Sequence, residues 1–246
     1  MRYHLILTLD YEVFGDGSGC LKHCLVDPME QCLSIADKYS AGVTSFVDAL
    51  EFRSIREQLK KKASAEFSDY YSLVETQIYQ MRSGAHNIQL HLHPQWLGAQ
   101  FEDSQWILDF DKWRIGDLTS EQITECISLG LAYLEEFSNS KNKDIIAFRA
   151  GGWAIQPSDL VVDNLCRAGI HIDSTVAPGC FNMAKGDWFD FRKAPKLPFW
   201  RFEQDVCMPV DNGRFIEAPI TTQWIGRRQH FRALRESRRQ DQLPIN

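Results

Sequence analysis

Short apolar runs that end in polar clusters alternate, along this chain, with longer stretches of helical period. Tyr3 to Leu9 is apolar and runs into Asp10-Tyr11-Glu12 and the glycine-rich Gly15-Asp16-Gly17-Ser18-Gly19, which predicts a buried strand and then an exposed loop. Asp27-Pro28 opens a helix, with Asp27 as N-cap, Pro28 first in the helix, and Met29, Cys32, Leu33, Ile35 and Ala36 on its apolar face. Gly42 to Asp48 predicts a second strand. Residues 53–83 read as helical, with Leu73, Ile78 and Met81 inward and Gly84 as the terminating cap. The third strand ends in Gln89-Leu90-His91-Leu92-His93-Pro94-Gln95-Trp96, and Leu97 to Trp113, lacking a clean period, reads as a long active-site loop. Thr119 or Ser120 caps an amphipathic helix to about Phe137. Asp144 to Phe148 predicts a fourth strand, Pro157 starts a helix that Gly169 ends, Ile170 to Ile172 is a short strand, and Phe215 to Ala218 is the last.

Strand and helix in alternation predict an α/β fold with a parallel sheet or barrel. With 246 residues and no repeat or linker, one main domain is expected over residues 1–222, followed by a basic helix or tail over 223–246, with its completeness left open. The net charge of −6 argues against a general nucleic-acid binder. No apolar run reaches the ~18 residues of a membrane span, and Met1 to Asp10 lacks the pattern of a secretory leader. A cytoplasmic protein is the expectation, its seven cysteines reduced. Cys20, His23 and Cys24 alone lack the second ligand pair of a zinc knuckle.

The chemistry gathers around the third strand. One residue separates His91 from His93, so on a strand both imidazoles face the same way. Pro94 stops the ladder and leaves the pair at a strand end, where α/β folds and barrels bind their ligands. Asp10 and Glu12 follow the first strand, Arg149 the fourth and Asp173 the fifth, while Glu217 lies in the last. In a barrel-like fold these ends converge at one mouth. Glu12, His91 and His93 supply a carboxylate and two imidazoles for a divalent metal, with positions left for water and substrate. Such a metal lowers the pKa of water and polarises a carbonyl. Asp10 can take the water's proton, and Arg149 would hold Asp10 ionised. Trp96, Trp106, Trp113 and Trp153 fall near the same mouth, where sugar rings could stack.

Thr8-Leu9-Asp10-Tyr11-Glu12, His91/His93-Pro94, Phe148-Arg149-Ala150, Asp173-Ser174-Thr175-Val176 and Glu217-Ala218-Pro219 resemble, in order, the motifs of polysaccharide deacetylases, the NodB-homology enzymes of carbohydrate esterase family four. The likeness covers about residues 1–222, and Thr44-Ser45-Phe46-Val47 is similar to that family's second strand. It extends to the branch found with lipopolysaccharide and surface-glycan biosynthesis, the WbmS-like and WalW-like proteins. The resemblance implies a distorted (β/α) barrel of about seven parallel strands and a divalent metal, usually zinc, with cobalt, nickel or manganese as alternatives. The implied reaction removes an N- or O-linked acetyl group from a sugar of a surface-polysaccharide or lipopolysaccharide precursor, nucleotide- or lipid-linked.

By position, the resemblance implies Asp10 as catalytic base, Glu12, His91 and His93 as metal ligands, and Arg149 as the orienting arginine. Asp173 joins the catalytic set, and Trp96, Trp153 and Glu217 join the substrate site. The chain departs from the family at three places. Gln95 stands where the second metal histidine is usual, so His93 is taken as its replacement. The arginine motif continues Ala150-Gly151-Gly152-Trp153 in place of proline and glycine. The late Leu-x-His has no match, and His230 is the only histidine after His171. Two further readings stay open: a C–N hydrolase of a small amide or imide on the same fold, and a non-catalytic glycan-binding barrel. Arg228, Arg232, Arg235 and Arg239 could share one helical face as a solvated helix end or as a phosphate site.

Overall fold

The computed structural model describes residues 5–61, 65–103, 105–137, 145–184, 188–223, 226, 228–229 and 231–232, with side chains from 68 onward in the third helix. In chain order the elements are β1 Leu7–Tyr11, α1 Asp27–Lys38, β2 Val43–Asp48, α2 Ala49–Lys61, α3 Ala65–Ser83 and β3 Asn87–Leu92. A small hairpin follows, β4 Gln100–Glu102 with β5 Gln105–Ile107, then α4 Ser120–Glu135, β6 Ala147–Ala150, α5 Asp159–Arg167 and β7 Ile172–Asp173. A second small hairpin, β8 Phe181–Asn182 with β9 Phe189–Asp190, precedes β10 Trp200–Phe202 and β11 Phe215–Glu217.

The main sheet has seven strands in the order β1-β2-β3-β6-β7-β11-β10, and the protein is α/β. All neighbours pair in parallel except β10, which runs antiparallel to β11. Seven parallel strands is thereby corrected to six and an antiparallel edge. The connection 203–214 carries no helix that could cross back over the sheet, so its two strands meet as a hairpin does. Among the described residues no ladder joins β1 to β10.

The sheet nevertheless curls. Arg149 on β6 is three strands from β1, about 14 Å across a flat sheet at ~4.8 Å per strand. Side chains stand roughly perpendicular to a sheet, so on a flat one this arginine would not meet Asp10. It lies 2.6 Å from it.

Register sorts the strand residues onto two faces. Tyr11, Val47, Leu90 and Phe148 are aligned across β1, β2, β3 and β6 and face the helices. Tyr11 packs on Phe52 of α2 and donates to Gln77 of α3, while Gly130 lets α4 press against Leu90 and Leu92. The opposite face carries Asp10 beside Phe46, and Asp48 beside His91 and Arg149. This inner face is the polar one.

Several boundaries differ from the sequence reading. The first strand begins at Leu7, with Tyr3 and His4 outside the described residues; Leu5 and Ile6 are exposed, and among the described residues β1 is an edge strand. Asp27 does not cap α1: a π-helical turn over Leu21–Val26 runs straight into the helix, and the Asp27 carboxylate is held by Lys22 and His23. Of residues 53–83, α2 covers the stretch to Lys61 and α3 the stretch from Ala65, with 62–64 outside the described residues; Leu73 is exposed, since Tyr71, Val74, Ile78 and Met81 form the buried stripe of α3. Thr119 does cap α4, in a full capping box with Gln122. No helix among the described residues is long and apolar enough to cross a membrane. Arg228 and Arg232 are exposed, while His230, Arg235, Arg239 and Asp144 lie outside the described residues.

Candidate metal centre

Alternation along β1 and β3 builds the centre. Asp10 and Glu12 sit either side of the buried Tyr11 and share the inner face, as do His91 and His93 either side of Leu92. His91 Nε2 lies 3.0 Å and His93 Nδ1 2.9 Å from the same oxygen of Glu12, Oε2. One ligand atom from each of the three falls within 4.8 Å of the others, the one such cluster of His, Cys, Asp and Glu among the described residues. Both histidines are buried, and Glu12 is partly open to solvent. The sulfurs of Cys20 and Cys24 are free and outside any such cluster. His86 is remote from it, accepting the Val43 N–H and pairing with Asp37 at the other end of the strands.

Hydrogen bonds fix the imidazoles. His91 Nδ1 lies 2.8 Å from the Arg149 carbonyl, which can only accept, so Nδ1 carries the proton and Nε2 faces Glu12. His93 Nδ1 lies between two carboxylates, 2.9 Å from Glu12 and 2.8 Å from Asp48. Burial alone would keep both imidazoles neutral, but the charge of Glu12 and its hydrogen bonds raise them, His93 most, where Asp48 adds to the effect. Burial would likewise raise Glu12, yet His93 and His91 outweigh it and hold the carboxyl well below its ordinary range. Two imidazoles and a carboxylate, crowded together and buried, are a donor set that a divalent cation fits, its charge taking the place of the imidazolium protons.

Beside the cluster, Arg149 is locked from every side. Its Nη1 donates to Asp10 Oδ1 at 2.6 Å, Nη2 to Thr8 Oγ1 and Ser174 Oγ, and Nε to the Ser174 carbonyl, with the guanidinium over the Phe46 ring. Asp10 therefore presents one oxygen to Arg149 and stays about 30% exposed.

Packing holds His93 as tightly. Gly151, in the turn after β6, lies so close that an added Cβ would sit 2.6 Å from the ring's Cγ and 2.7 Å from its Nε2. Gly151→Ala should destabilise the fold by about 1–3 kcal/mol and weaken metal binding, because His93 must move. Denaturant unfolding and a metal titration check this; an unchanged affinity would show that His93 is not a ligand. Gln95, at the position of the usual second histidine, donates instead to the Gly15 carbonyl and pins the glycine-rich loop, and Gly15 lies against Trp113.

Three expected residues do not join this centre. Register places Asp173 opposite Phe148, and Glu217 opposite Asp173, so both belong to the face turned away from His91 and Arg149. They are fully buried, and burial raises both carboxyls. Burial and the Asp173 charge push Glu217 well up, while Thr175 donates twice to Asp173 and offsets part of its burial. Trp96 is 1% exposed and packed edge-on against Trp106, which leaves no ring face for a sugar. Trp153 is half-buried against Phe189, and Trp113 lies 5.6 Å from His93.

The raised Glu217 fixes the sign of a pH effect. The folded protein keeps this proton above the pH at which the unfolded chain releases it, so its contribution to stability is full below the ordinary glutamate range and is lost as pH rises toward the folded value. Glu217→Gln keeps the shape but does not titrate. Its unfolding midpoint should gain on wild type steadily from pH 5 to pH 8; parallel curves would contradict the raised Glu217 carboxyl.

Asp48, Thr8 and Ser174 were not singled out in the sequence. Asp48 ends β2 as His91 nearly ends β3, so the strand-end rule could have found it; Thr8 and Ser174 carry no local signal.

No protein-family model matches the chain, and no curated protein matches it. Among solved structures the chain is similar to the Xyl-CE4 domain of a multidomain xylanase from the hindgut metagenome of Trinervitermes trinervoides, at 12% sequence identity and a TM-score of 0.37, over 65% of this chain and 52% of that one. The chain thus spans about half the length of that structure, and a likeness of this degree carries no argument for what the protein does.

Proposed function

We propose that this chain is a metal-dependent hydrolase that removes an N- or O-linked acetyl group from a sugar, on a barrel of the NodB-homology type formed by residues 1–222. The observation that carries the reading is a juxtaposition on the inner face: the Glu12, His91 and His93 donor cluster beside an Asp10 carboxylate clamped by Arg149. The ordered motif resemblance supports it and supplies the substrate class, a surface-glycan precursor joined to a nucleotide or lipid.

Glu12, His91 and His93 would hold the cation, zinc in this reading, with cobalt, nickel or manganese suited to the same donors. When bound, the cation supplies Lewis acidity toward the acetyl carbonyl and makes water a better nucleophile. Asp10 takes the proton of the attacking water through the oxygen that Arg149 leaves open. Arg149 keeps Asp10 aimed. Trp153 and Trp113 offer aromatic surface to the sugar ring.

The test is acetate release by the zinc- or cobalt-loaded protein from N- and O-acetylated sugars, set against small amides and cyclic imides. Release from acetyl sugars supports the reading. Turnover of amides or imides alone replaces it with a C–N hydrolase, and metal binding without any turnover replaces it with a glycan-binding barrel.

A further inference from the structure

One buried carboxylate at the centre has no part in this scheme. Asp48 ends β2 and is completely buried. Its Oδ1 accepts the Glu51 N–H at 3.3 Å in the first turn of α2 and the His93 backbone N–H at 3.4 Å. Its Oδ2 lies 2.8 Å from His93 Nδ1. The same side chain therefore grips His93 by both its backbone and its ring.

A helix cap alone does not explain an aspartate here. Serine or asparagine caps equally well, and a buried carboxylate is costly unless its charge is matched. Among the described residues no lysine or arginine bonds to Asp48, and its ring partner is His93 of the centre. The two imidazoles differ in this respect: His91 is held by the neutral carbonyl of Arg149, and His93 by a carboxylate. Gly151 closes the space on the other side of the His93 ring, so the ring has one place to sit.

We infer that Asp48 is a positioning residue of the metal centre: it fixes His93 through its backbone N–H, lies beside Nδ1, the ring nitrogen that also faces Glu12, and adds negative charge that draws the cation in. The inference rests on the metal reading of Glu12, His91 and His93. Asp48 itself does no chemistry on the substrate.

Asp48→Asn and Asp48→Ser both keep a cap acceptor for α2. Cobalt(II) titration of the full chain, followed by visible absorption, gives affinity and ligand field together, and thermal unfolding of the metal-free protein monitors the fold. Asp48→Ser is expected to bind cobalt about 10–100-fold more weakly, Asp48→Asn less severely so. Both should show a shifted absorption band and near-wild-type unfolding without metal. Wild-type affinity and an unchanged band in both variants would overturn the inference. Should the serine variant fail to fold, the near-isosteric asparagine decides. A parallel His91→Ala titration separates the two ways to fail. If wild type binds no more cobalt than His91→Ala, the metal reading falls and the inference with it; if wild type alone binds and the Asp48 variants match it, only the inference falls.

Discussion

Asp10→Asn is expected to lower turnover by about 10²–10⁴-fold while the protein still binds its metal. Asparagine can accept the Arg149 Nη1 hydrogen bond in the place of Asp10 Oδ1, so the clamp and the fold should survive. What it cannot do is take a proton from water. Glu12, His91 and His93 are untouched, and metal content should equal that of wild type. Steady-state acetate release beside metal analysis checks both halves. Full activity would remove Asp10 from the base role, and loss of the metal would make it a ligand instead.

Arg149→Met should destabilise the fold by about 3 kcal/mol and abolish turnover. Arg149 is 3% exposed and donates to Asp10, Thr8 and Ser174, tying β1, β6 and the segment after β7 across the interior of the curled sheet. Methionine fills much of the volume and satisfies none of the acceptors. The Ser174 carbonyl then loses its donor, and Asp10 loses its cationic partner. Arg149→Lys should fall between, since lysine keeps the charge but not the fork that reaches three partners at once. Denaturant unfolding gives the stability and acetate release the activity. A methionine variant as stable as wild type would show that the clamp is dispensable to the fold.

Local pattern made some of this legible in the sequence. The single-residue spacings of Asp10 with Glu12 and of His91 with His93 fixed their common face, because alternation within one strand is local. The start of α4 at Thr119 or Ser120 and the helix-ending Gly169 were legible for the same reason. Alternation between strands is not local. Asp173 and Glu217 occupy strand ends like His91, yet the pairing Phe148↔Asp173↔Glu217 turns them to the other face. Convergence of strand ends locates a residue along the barrel axis and leaves its side undetermined. A one-residue change in register would have reversed the result. Burial of Trp96 and the edge position of β1 likewise depend on which elements become neighbours. Asp48 was missed for a different reason. The strand-end rule applied to it, but its partner, His93, comes from another strand and only the fold brings them together.

The most direct test of the central claim is the metal content of protein purified without chelator and then offered zinc or cobalt, for wild type, His91→Ala and His93→Ala. The account predicts about one tightly held metal per wild-type chain, one cation being what a single two-histidine, one-carboxylate set accommodates, and loss of it in both variants. Metal bound equally by all three proteins, or by none of them, would contradict it.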